Sequence, residues 1–316
     1  MNSSSPGNLD VVGLGLATID VLVRCEPSSD PSRRPAFREF RLEGGGPVAT
    51  AMAAASRLGA RTGLVGTAGS DFAGECKLLS LSRYGVDVSR VVVRPGAEKE
   101  VVLVWVDAET GERGFSGLTG AMSDALRPEE IDRDYVTSAP YLHLDGCHGE
   151  AALAAARWMH EAGGTVILDG PATHGIARAR IRRLVEQVDV LVCGSGFAQA
   201  VTRESDAADA CRAAIELGPR TVVQTEGPDG SLTVCPDGEF HTPAFEVDAV
   251  DTTGAGDVFH GAYIVGLIRG WDPRRIAAFA SAAAAMTCTR VGGRAGVGSF
   301  EETVEFCRSR GVDLAD

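Results

Sequence analysis

The sequence predicts an α/β protein built on a mostly parallel central sheet, and three observations predict it. From Tyr135 onwards short β-branched runs alternate with Ala-rich helical segments, the rhythm of parallel strands joined by crossover helices. The composition, 39 Gly and 44% hydrophobic residues in 316, supplies the tight turns and the core that such a sheet needs. Near the end, V-D-T-T-G-A-G-D-V-F-H-G-A-Y at Val250 to Tyr263 sets a Gly-rich turn before an apolar run at helical spacing (Val258, Ala262, Val265, Ile268).

Bulk properties narrow the function. A formal charge of −13 argues against a general nucleic-acid or anionic-membrane binder, because both need a basic face. The eight Cys include no C-x-x-C pair and fit reduced thiols better than disulfides or a zinc site. Residues 1–8 form a polar tail without the basic start or apolar core of a signal peptide, and no apolar run approaches transmembrane length. The expected location is cytoplasmic.

In chain order, Leu9 to Leu16 is a buried strand ending in a Gly turn, and Asp20 to Arg24 continues as an alternating strand. Gly13 and Gly15 alone do not make a dinucleotide fingerprint, since a third Gly and a following helix are missing. After a loop from Cys25 to Pro35, Phe37 to Leu42 alternates like a half-exposed strand. Gly44-Gly45-Gly46-Pro47 then opens a helix that stops at Gly59. Arg61 to Gly66 is a strand, and G-T-A-G-S-D-F-A-G opens a helix through Tyr84. Strands at 91–93, 101–106 and 113–116, with a turn at Glu109 to Glu112, join 20–24 and 37–42 in a small separate sheet. Its apolar face needs a cover. Strands at 139–144, 165–169, 188–193 and 220–225 then alternate with helices at 150–162, 176–187 and 206–217, and a last Ala-rich helix runs from Pro273 to Thr289.

The chemistry concentrates at Val250 to Tyr263. Helix N-terminal N–H groups lack intrahelical partners and carry partial positive charge, and Gly254, Ala255 and Gly256 leave them open to a phosphate. Asp257 would repel that phosphate unless it has a task, and the task at hand is to accept the proton of an attacking hydroxyl. The run D-T-T-G-A-G-D-V-F-H-G-A resembles the C-terminal signature of the ribokinase-like, or PfkB, carbohydrate kinases. G-G-G-P-V-A-T-A resembles their N-terminal one.

That resemblance implies a ribokinase-like three-layer fold over 9–316, with the small sheet as a lid that closes over the sugar or pairs in a homodimer. It also implies ATP, Mg2+ and a potassium-type cation. Carried over by position, Asp257 is the catalytic base and Gly254, Ala255 and Gly256 the anion hole. Asp20, Gly45, Gly46 and Thr50 hold sugar hydroxyls, with Thr50 where the family has Asn. Thr225, Gly227 and Gly230 of Q-T-E-G-P-D-G match the nucleotide loop, and Asp251, Thr253, Cys288, Val291 and Gly293 are the cation ligands. The usual N-x-x-E is replaced by Gly194-Ser195-Gly196-Phe197, which leaves the magnesium ligands open.

At one strand end His143 and Asp145, with Cys147 and His148, line the sugar pocket or form a metal cluster; residues two apart on a strand do not converge tetrahedrally, which favours the pocket. Asp169 organises substrate or magnesium-bound water, or starts a turn, and Arg290 or Arg294 adds charge near ATP or caps a loop. In motif the chain is similar to bacterial sulfofructose kinases, but Gly117 and Cys147 stand where those enzymes hold the sulfonate with Asn and Arg. The expectation is therefore a neutral ketose, pentose or sugar acid, with Arg41, Lys99 and Arg113 as the nearby cations. An adenosine-type nucleoside kinase, a non-catalytic sugar-binding regulator and a dinucleotide oxidoreductase are the competing readings.

Overall fold

Strand β1 (Val11–Leu14) is buried at every position, because it lies inside a sheet covered on both faces. The computed structural model describes residues 9–25, 37–107, 113–117, 124–171 and 178–314. After β1 come β2 (Thr18–Cys25), β3 (Phe37–Gly45), α1 (Pro47–Arg57), β4 (Thr62–Val65), β5 (Thr67–Gly69) and α2 (Phe72–Ser82). Next are β6 (Val92–Arg94), β7 (Val101–Asp107), β8 (Arg113–Gly117), α3 (Arg133–Val136), β9 (Tyr141–Leu144), α4 (Gly149–Glu161) and β10 (Thr165–Gly170). The chain continues through α5 (Arg178–Val185), β11 (Val190–Gly194), α6 (Phe197–Thr202), α7 (Ala207–Ile215), β12 (Thr221–Thr225), β13 (Ser231–Cys235) and β14 (Gly238–Thr242). It ends with α8 (Ala255–Ile268), α9 (Pro273–Cys288) and α10 (Phe300–Ser309).

The large sheet has the order β14-β13-β12-β11-β10-β9-β1-β4, parallel from β12 to β4 and antiparallel only at the β13–β14 edge. Alternation along each strand sends successive side chains into two cores. Val12, Leu14, Leu142, Leu144, Val166 and Leu168 pack with α4, α6 and α7. Val11, Ile167, Val190 and Val192 pack on the other face with α1, α8 and α9. Helix α8 is buried from Val258 to Gly266, so it is apolar all round, as expected of a central helix. It touches α1 backbone to backbone: a side chain at Gly261 would run into the Ala51 carbonyl.

The small sheet runs β3-β2-β7-β8. Strand β6, expected among its members at 91–93, instead pairs in parallel with β5 as a separate two-stranded ribbon. Lys77 of α2 anchors the root of the small sheet. Its ammonium, 1% exposed, donates to Glu98 and Glu100 at 2.8 Å each and to the Ala17 carbonyl at 2.9 Å. The polar tail 1–8, the turn at Glu109 to Glu112 and the start of the helix expected from Ile176 lie outside the described residues.

Candidate active site

Six parallel strands end on one edge, and most of the residues singled out above lie near it. Gly254 caps α8 with φ 72°, a left-handed conformation that costs glycine little, and packs against the Gly293 backbone. Gly256 has open space where a Cβ would stand, so the first amides of α8 can be approached closely. Asp257 follows in that first turn. Burial pushes its carboxyl up to about 7; the Arg294 guanidinium opposes the rise, and the carboxylates of Asp145 and Asp20 add to it.

The sugar-side residues sit where the small sheet meets the core. Asp20 of β2 pairs in register with Glu43 of β3 and accepts from Thr18 Oγ1 at 2.6 Å; burial raises both carboxyls. A side chain at Gly45 would strike the Asp20 carboxylate, and one at Gly46, whose φ is 90°, would strike the Leu16 carbonyl. These two glycines are therefore required by close approach at the start of α1. Thr50 is buried and its hydroxyl accepts from Arg294 Nε at 3.2 Å. Arg294 also donates to the Gly45 carbonyl at 2.8 Å and to Ser80 Oγ at 3.4 Å, and burial lowers its pKa to about 10.

Two sugar-pocket expectations need correction. His143 is fully buried under His260 of α8, because alternation along β9 aims it into the sheet–helix interface. Asp145 is 5% exposed and spends its oxygens on the backbone, accepting from Leu16 N–H at 2.8 Å and Cys147 N–H at 2.9 Å. It shapes the turn after β1. The H-x-D-x-C-H metal alternative fails for the same reason: His148 Nδ1 accepts from the Leu126 N–H and takes no part in a cluster with His143.

The nucleotide-side loop leaves β12 at the same edge. Thr225 Oγ1 donates to the Cys193 carbonyl at 3.3 Å, Gly227 opens a short turn with open space above it, and Gly230 has φ 95° against the Thr242 carbonyl. Gln224, missed in the sequence, fixes this loop by bonding the Ala198 N–H and Glu226. Asp251 and Thr253 lie in the loop before α8, Cys288 ends α9, and Val291 and Gly293 lie in the loop after it. Asp251 accepts from the Thr253 and Gly292 N–H groups at 2.8 and 2.9 Å, which ties the loops together. The Cys288 carbonyl already accepts from the N–H groups of Val250 at 2.8 Å and Asp251 at 3.1 Å, so both its lone pairs are engaged and it does not fit as a cation ligand.

Two of the cations offered for an anionic substrate are taken up as well, and the side chain of Arg113 lies outside what the structure describes. Arg41 pairs with Glu39 and Lys99 with Asp124. Gly117 ends β8 exposed, and burial pushes the Cys147 thiol up, so it stays neutral. Arg290 opens onto a groove of about 680 Å³ that Arg57, Arg83 and Arg294 also line.

Comparison with known proteins agrees with this architecture. Residues 8–298 match the pfkB family carbohydrate kinase model. The chain is 31% identical over 289 residues to the ATP-dependent ribose-1-phosphate kinase of Halopiger xanaduensis, covering 90% of this chain and 93% of that protein. It is 25% identical over 299 residues to the nucleoside kinase of Methanothermobacter thermautotrophicus, covering 94% of each. The ribokinase of Thermotoga maritima superposes with a TM-score of 0.81 at 25% identity, over 95% of this chain and 99% of that one. With the family signature matched almost end to end on a ribokinase fold, the chain belongs to the PfkB carbohydrate kinases and is an ATP-dependent sugar kinase.

Proposed function

We propose that the enzyme phosphorylates a hydroxyl of a neutral pentose-type sugar, with Asp257 as general base. The observation that carries this reading is the half-buried Asp257 carboxyl in the first turn of a helix whose N–H groups are open to a phosphate, with burial raising its pKa. The sugar lies against Asp20 and the glycine turn at Gly45–Gly46, and its hydroxyl oxygen attacks the γ-phosphorus of ATP. As that bond forms, the hydroxyl proton passes to Asp257, the bond to the β,γ-bridging oxygen breaks, and ADP leaves with the electron pair. The amides of Gly254, Ala255 and Gly256 stabilise the charge on the phosphoryl oxygens in transit, where oriented dipoles need no rearrangement. The Thr225–Gly230 loop holds the other phosphates.

Mg2+ would supply charge neutralisation at the phosphates of bound ATP, and Gly194–Phe197 offer it no carboxylate. The potassium-type site loses Cys288 as a ligand, and no step is routed through it.

Neutrality of the substrate is argued from charge. Asp20, Glu43 and Asp257 face Arg294, which already donates to protein oxygens, and Arg41, 3.9 Å from Glu43, is itself paired with Glu39. Carboxylates accept from sugar hydroxyls and repel a sulfonate or phosphate. The names of the relatives, a ribose-1-phosphate kinase and a nucleoside kinase, share the ribose ring and set the choice of a pentose.

The face of the small sheet remote from Asp20 supports a homodimer. Two cross-strand rows, Leu42–Val21–Leu103 and Phe40–Val23–Trp105, lie side by side on that face, with Phe40 59% and Trp105 41% exposed. Asp20 and Glu43 alternate onto the opposite face, so the apolar rows point away from the sugar and suit a second copy of the chain.

The test is ATP consumption with Mg2+ against ribose, other pentoses, ketoses, sugar acids, ribose 1-phosphate, nucleosides and sulfofructose. Asp257→Asn is expected to keep ATP binding and lose about 10²–10⁴-fold in turnover. Unchanged turnover in the variant removes Asp257 from the chemistry, preference for sulfofructose or a sugar phosphate overturns the neutral-substrate reading, and preference for a nucleoside replaces the free pentose.

A further inference from the structure

Directly below the base lies a second constellation that the kinase reaction does not use. His143 from β9, Asp169 from β10 and His260 from α8 each bring one ligand atom within 4.8 Å of the other two. All three are buried, at 0%, 6% and 4% exposure. Alternation on adjacent parallel strands aims His143 and Asp169 at the same face, and His260, one helical turn after Asp257, comes down onto them. The two imidazole centroids are 5.5 Å apart, and His260 Nε2 is 3.4 Å from Asp169 Oδ1.

The hydrogen-bond state of this cluster is anomalous. Neither ring nitrogen of His143 makes a hydrogen bond of good geometry, although the Ile167 backbone lies close enough to favour its protonated form, and Nδ1 of His260 has no partner. Native cores leave few polar atoms in that condition, and a concentration of them marks a missing partner. The surroundings name its sign: Asp169 feels the carboxylates of Asp257 and Asp145. A cation meets both needs, because imidazole lone pairs turn to a metal and a dication offsets the crowded carboxylates.

We propose that His143, His260 and Asp169 form a site for one nitrogen-preferring transition-metal dication of the Zn2+ or Co2+ class, separate from the magnesium that travels with ATP. Two imidazoles and one carboxylate suit these ions, whereas Mg2+ requires oxygen ligands in an octahedron. Bonds of about 2.0–2.2 Å to a shared ion require the ligand atoms to close by on the order of 1 Å, which side-chain rotation supplies. The ion would tie the second turn of α8, one turn below Asp257, to the centre of the sheet.

The experiment uses the full chain, stripped with chelator and reloaded with Co2+ or Zn2+ alone, both directly and during refolding from denaturant. The expected result is about one ion per chain resistant to dialysis against excess Mg2+, visible absorption bands in the Co2+ form, and a higher melting temperature that chelator reverses. His143→Gln, His260→Gln and Asp169→Asn, each checked for folding by circular dichroism, should weaken Co2+ binding about 10–100-fold, while Cys147→Ser leaves it unchanged. Absence of metal uptake by the unmodified chain under both loading conditions overturns the site without any variant. Equal binding in the folded histidine variants, or loss with Cys147→Ser, assigns the ion elsewhere and also overturns it. None of these readouts depends on kinase activity.

Discussion

Asp257 must be anionic to accept a proton, yet burial favours its neutral form. The sign of the pH dependence follows. Below about pH 7 the carboxyl holds its proton and cannot act as base, so kcat/KM should rise about tenfold per pH unit on the acid limb and flatten above about 7. Steady-state rates across that range check it, and an acid limb centred near the ordinary carboxylate value of about 4 would contradict it. The folded state also holds this proton more tightly than the unfolded chain, so the group favours folding at acid pH, a contribution lost as pH rises through about 7. Asp257 and its glycines were legible in the sequence because their roles are local, a turn and the helix it opens. Arg294 was legible only as a charge. Its partner Thr50 lies 244 residues away in the chain, and nothing in G-G-R-A-G says which of several loops the guanidinium will enter. His143 was misplaced for a related reason: its strand end was recognisable, but the helix that covers it comes from the far end of the sequence.

Among the elements, α2 carries a burden its sequence does not advertise. Lys77 is placed between Glu98 and Glu100, so removing its charge leaves two carboxylates facing each other in the interior. Lys77→Met should cost about 3–5 kcal/mol in chemical denaturation, and a change within about 0.5 kcal/mol would show that the triad is dispensable. The parallel strands were readable from their continuous apolar runs and the Ala-rich helices between them. The edge hairpin β13–β14 was not identified, although S-L-T-V-C and G-E-F-H-T alternate around a Pro-Asp turn. At 91–93 the apolar run was read correctly as extended chain, but pairing depends on which edge lies within reach, and the short β5 was the nearer partner.

At the scale of the molecule, the apolar rows of the small sheet should hold two copies together. Phe40→Asp combined with Trp105→Asp is expected to convert a dimer to monomer in sedimentation analysis without unfolding the large sheet; a parent chain already monomeric at micromolar concentration would dispose of the interface. The contact between α1 and α8 has a consequence for how the protein changes over generations. Because Gly261 lets the two helix backbones touch, the sugar-holding end of α1 and the phosphate-holding end of α8 form one jaw of fixed gauge, unable to widen for a bulkier substrate. The other jaw hangs on β2 and β3. A change of substrate preference is therefore expected to fall on β2 and β3, where no helix-to-helix backbone contact fixes the spacing, and to leave the half that handles phosphate as it is.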